Sequence, residues 1–127
     1  MQTASTARRA ATALTILAAW AIAVPWIGRA AGLTLDVTTR LEVIDHVVPG
    51  AIVLGCCAAL LHGARGLLRL SLIAIACLAG FWVTVAHVTL ISEALDGVTD
   101  WGPALLHLSA GPPIAGLALW MLVTADA

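Results

Sequence analysis

Apolar and polar positions alternate along this chain in blocks. Four long apolar stretches, at residues 10–27, 46–64, 70–92 and 103–124, are separated by short polar ones. Each is close to the ~20 residues that a helix needs to cross the hydrocarbon core of a bilayer. The pattern predicts an all-α integral membrane protein, a four-transmembrane-helix bundle in which residues 1–127 form a single domain. No internal repeat and no low-complexity linker interrupts it.

Composition agrees with the blocks. The chain is 61% hydrophobic and 10% charged, against about 45–50% and 25% in soluble domains, and its mean hydropathy is +1.04. This excludes a soluble enzyme, and nothing in the sequence suggests a nucleic-acid partner.

The charges are sorted by segment. Arg8 and Arg9 precede the first stretch, and Arg65 and Arg69 bracket the turn between the second and third. Asp36, Glu42, Asp45, Glu93, Asp96 and Asp100 occupy the other two loops, where Arg29 and Arg40 are the positive charges. By the positive-inside rule both termini and the 65–69 turn face the cytoplasm, and the acidic loops face out of the cytoplasmic membrane. Arg8, Arg9 and the small residues at 21–23 also fit a cleaved signal peptide. The AATAL that follows the arginines lacks the polar and aromatic residues of a twin-arginine signal, so the first span is expected to be retained.

Between the first two spans, LTLDV alternates like a short strand, while TTRLEVID suits a helical turn with Leu41 and Ile44 at the lipid boundary. Asp45 stands where an N-cap of the second span is expected, with Pro49 in its first turn. Gly102 and Pro103 start the fourth span in the same manner, and Asp96-Gly97 predicts the turn before it. Within the fourth span Gly111, Pro112 and Pro113 predict a helix break, because adjacent prolines remove two backbone donors.

Helical residues advance about 100° each. His46, Gly50, Val53 and Cys57 therefore share a stripe. So do His87, Gly80 and Ala76, with Thr84 nearby, and so do His107, Gly111, Ile114 and Ala118. Small residues mark close approach between membrane helices, so the three histidines are expected to face the bundle interior near its outer end. His62 lies on another side, near Arg65, and reads as an interfacial residue.

Ionisable groups inside a membrane are expensive and invite a functional reading. Three imidazoles from three helices suit Zn or Cu, with Glu93 or Asp100, or else Glu42, as an extra ligand or as an acceptor behind a ring. A haem held by His87 and His107 is a variant of that reading. The plainer alternatives are hydrogen bonds from each histidine to a nearby acid or water, and a solvated hairpin for the acids; a proton-handling or pH-sensing role is a further one. Cys56, Cys57 and Cys77 form no CxxC and read as small core residues.

An Arg-led, Ala-rich first span with Trp20, then RAAGLTLDV, a short Arg-bearing turn and LLHLSAGPPIAGL resemble a group of uncharacterised actinobacterial small four-span membrane proteins. The resemblance implies the four-span architecture and carries no activity. Other small four-span families fit less well. The first span lacks the Glu of small multidrug transporters, no Gly-rich motif ending in Arg matches fluoride channels, and no CxxC matches vitamin K epoxide reductase relatives.

The sequence is thus expected to encode a small multi-pass accessory or structural subunit. It would have no catalytic activity and no cofactor, would lie in the lipid bilayer, and would pair with itself or join a larger membrane complex. A metal- or haem-binding protein built on His46, His87 and His107 is the alternative. A minimal transporter or channel using the proline break is a second.

Overall fold

The computed structural model describes residues 4–33 and 39–125, and all of their regular structure is helical. Four helical rods are long and apolar enough to cross a membrane. LTLDV, apart from Leu33, and Asp36 with it, lie outside the described residues.

The first rod is α1 (Ala4–Ala31), which begins before the apolar stretch because Ala and Arg in ASTARRAA are strong helix formers. Pro25 lies inside it. The second rod also starts earlier than expected. It runs through α2 (Thr39–Glu42), a π-helical turn (Val43–Val47) and α3 (Val48–Leu61). Asp45 is therefore not an N-cap; it sits within the π turn.

Pro49 supplies the physical reason for that turn. The Val48 N–H donates to the Val43 carbonyl five residues back, and Pro49, next in line, has no N–H to give Asp45. The ladder widens instead of breaking. Leu41 and Ile44 are exposed, as a lipid-boundary turn requires.

The third rod comprises α4 (Gly66–His87) and α5 (Thr89–Leu95), with a step at Val88. The predicted turn follows, with Asp96 as C-cap and Gly97 at φ +72°, a conformation that favours glycine. The fourth rod is α6 (Trp101–Leu108) and α7 (Gly111–Val123), divided at Ser109 and Ala110 as the prolines require. Pro112 and Pro113 fall in the first turn of α7, where a missing N–H costs little. Ser109 seals the break: its hydroxyl donates to the Leu106 carbonyl at 2.6 Å and accepts from the Trp20 indole N–H at 2.7 Å.

The rods close into a ring of neighbours, α1 against α3, α3 against α4, α4 against α7 and α7 against α1. Their shared core is built largely of small side chains, among them Ala18, Ala21, Cys57, Ala76 and Ala118, around Leu14, Ile73, Ile114 and Met121. Backbones nearly touch where α4 meets α7: a Cβ added to Gly80 would lie 2.5 Å from the Ala115 nitrogen. One added to Gly111 would lie 2.6 Å from Thr84 N and Oγ1, so the helix break is packed at Gly111 while the proline rings are exposed. Every glycine and histidine named on the three predicted stripes is buried.

Candidate functional site: a histidine triad beside a buried glutamate

Three rods deliver one imidazole each to the same place. His46 comes from the π turn, His87 from the last residue of α4 and His107 from the last turn of α6. Their ring centres are 4.4 Å apart for His46 and His87, 5.2 Å for His46 and His107, and 5.5 Å for His87 and His107. The rings are 0%, 6% and 1% exposed in chain order. Gly28 of α1 forms part of the wall, where a Cβ would lie 3.9 Å from His107 Cε1.

Two of the rings are held by their own helices. The Nδ1 of His87 lies 2.9 Å from the Val83 carbonyl, and the Nδ1 of His107 lies 2.9 Å from the Pro103 carbonyl. A carbonyl only accepts, so each Nδ1 carries a proton and each neutral ring presents an Nε2 lone pair. Among the described residues, the Nε2 of His107 has no hydrogen-bond partner, and neither nitrogen of His46 has one. An unmade bond to a buried polar group costs about 1–3 kcal/mol, so three such atoms in one pocket are a substantial local expense.

A carboxylate stands next to them. Glu42, one turn before His46 and only 5% exposed, places Oε1 4.0 Å from His107 Nε2. Its other oxygen, Oε2, lies 3.4 Å from an Arg29 guanidinium nitrogen. Of the two residues named first from sequence as extra ligands, Glu93 lines the cleft beside His87 and Glu42, and Asp100 is not among the cleft's lining residues. Glu93 is half-buried and accepts a hydrogen bond from the Thr99 hydroxyl at 3.1 Å, and Asp100 is exposed at the N-cap of α6. Glu42 takes the place expected of Glu93 or Asp100, because the helix of the second rod begins early enough to carry it inward.

A cleft of about 520 Å³ leads to this group, lined by Glu42, Asp45, His87, Glu93 and Thr99 among others. Its described lining holds three carboxylates and no Lys or Arg. His62 is exposed at the opposite end as C-cap of α3 and does not join the group. The three cysteines are free thiols; Cys56 and Cys57 belong to the buried core, and the Cys77 S–H donates to the Ala115 carbonyl at 3.7 Å.

Among the described residues, no group of three or more His, Cys, Asp or Glu is arranged so that it could hold a metal ion as the side chains stand. The His46 and His87 ring planes are inclined at 33° with centres 4.4 Å apart, and for the three rings to share an ion their side chains must turn. Turning a histidine about χ2 crosses a broad torsional profile, and His46 has no hydrogen bond to lose in doing so.

Comparison with protein-family models, with curated proteins and with solved structures finds no match to this chain.

Proposed function

We propose that this chain is a multi-pass protein of the cytoplasmic membrane, with both termini in the cytoplasm, that binds a divalent transition-metal ion through His46, His87 and His107. One observation carries the reading: three buried imidazoles from three rods meet, and three of their ring nitrogens have no partner among the described residues. Imidazoles bound tetrahedrally to one ion through bonds of about 2.0–2.1 Å place their ring centres roughly 5 Å apart. The separations here, 4.4–5.5 Å, bracket that value.

Purely structural histidines would each be tied to an acid or a water, whereas Glu42 comes no nearer to His107 than 4.0 Å and His46 has no partner among the described residues; the carbonyl bonds at Nδ1 are the kind that fix the tautomer of a metal-binding histidine. Haem fits less well, because His46 occupies the space a macrocycle between His87 and His107 would fill. The acidic cleft favours a cation arriving from the side of the acidic loops. The transporter reading gains nothing from the proline break, which is packed at Gly111. The function is one of binding without catalysis. Exposed Leu78, Phe81 and Trp82 give the bundle an apolar face for lipid or for other helices of a larger complex.

The test is metal content by elemental analysis of detergent-purified protein, wild type beside His87→Ala. Near-stoichiometric metal that is lost in the variant is expected. Wild-type protein that stays free of metal after equilibration with Zn²⁺ and Co²⁺ would end the proposal.

A further inference from the structure

Glu42 is the acid that the structure places beside the triad. A carboxylate buried in a membrane-spanning bundle is expensive unless it is paired, and this one divides its two oxygens between different neighbours. Oε2 meets Arg29 at 3.4 Å, with Arg29 itself 54% exposed. Oε1 faces His107 Nε2 at 4.0 Å.

When the His107 ring is neutral, the second contact lacks a proton. His107 donates through Nδ1 to Pro103, which leaves a lone pair on Nε2, and a carboxylate oxygen also only accepts. Two acceptors therefore face each other across a gap about twice the ~2.0–2.1 Å length of a Zn–N or Zn–O bond. A tetrahedral ion bound to both would hold them about 3.3–3.4 Å apart, so the two must close from 4.0 Å by roughly 0.6 Å to share one.

We infer that the site takes its ion as a four-coordinate centre of three histidine nitrogens and Glu42 Oε1, with Arg29 as the positioning residue that holds Glu42 by Oε2. The inference rests on the metal-binding reading above and adds the fourth ligand, its support and the class of ion. Three imidazoles and one carboxylate suit Zn²⁺ or Co²⁺, whereas Cu⁺ prefers thiolates and thioethers. The single charge of Glu42 offsets part of the ion's charge inside the bundle. Arg29, reaching from the end of α1 at the surface, holds the carboxylate in place before the ion arrives.

The experiment is a Co²⁺ titration of the full chain in detergent, followed through visible d–d absorption and competed with Zn²⁺. Wild type, E42Q, E42D, R29Q, R29K and H46A are compared. Wild type is expected to show the intense bands of four-coordinate Co²⁺. E42Q should bind at least tenfold more weakly with shifted bands, and R29Q about 10–100-fold more weakly, with partial rescue in R29K. E42D keeps the charge but shortens the reach, so its bands should move even if E42Q proves too unstable to purify. No Co²⁺ binding by wild type would overturn the metal reading together with this inference. Binding that H46A abolishes while E42Q and E42D keep wild-type affinity and spectrum would overturn the role of Glu42 and leave the histidine site standing. An R29Q titration identical to wild type would overturn the role of Arg29.

Discussion

His46 brings two ring nitrogens into a core that offers neither of them a partner. Replacing it with leucine removes both unmet polar atoms, each worth about 1–3 kcal/mol, and fills the space with an apolar side chain. His46→Leu is expected to leave the metal-free protein as stable as wild type or more so, while the stabilisation that Zn²⁺ gives wild type disappears. Thermal unfolding in detergent with and without Zn²⁺ checks this, and a large loss of metal-free stability would show that His46 makes a bond after all. At this scale the sequence was informative about direction: a step of seven or eleven residues put each histidine on a face of small residues, and those faces are buried. It offered Glu42 only as one of three acids beside Glu93 and Asp100, because the inward position of Glu42 depends on a helix start and a widened turn that hydrophobic periodicity does not encode.

The π turn is the element that sets the site. It places one more residue in the turn than an α-helix would, and so fixes how Glu42 and His46 face the interior relative to α3 below them. Pro49→Ala would restore a donor for the Asp45 carbonyl and let the α ladder continue. The expected outcome is a chain of at least equal thermal stability whose Co²⁺ affinity falls by tenfold or more, read in the same titration; unchanged affinity would show that the turn persists without the proline. The break in the fourth rod, by contrast, was legible in advance, because Gly111, Pro112 and Pro113 announce it through a lost donor, which is a covalent fact about proline. The π turn follows from a lost donor too, but one proline near a predicted helix start is equally compatible with an ordinary first turn.

For the whole molecule, four apolar blocks were sufficient to predict four rods, since length and hydropathy are summed over about twenty residues and tolerate errors at either end. How the rods face the two sides of a membrane is a question of charge, and it is tested by labelling. With Cys56, Cys57 and Cys77 replaced by alanine, a cysteine at Val98 should react with a membrane-impermeant maleimide on intact cells, and one at Leu67 should react only after permeabilisation. Both positions are well exposed, so the reverse pattern would invert the proposed topology.

Each rod also carries its irregularity toward the same end. Pro25 lies in the first, the π turn in the second, the step at Val88 in the third and the Ser109–Ala110 break in the fourth, all near the triad, while the tight seam around Gly80 and Ala115 lies farther from it. The bundle is thus put together like tongs, with touching backbones at the pivot and jaws of which the second, third and fourth each have a joint of their own. Closing the jaws on something as small as a single ion would take only local adjustments at those joints, and the pivot would not have to move.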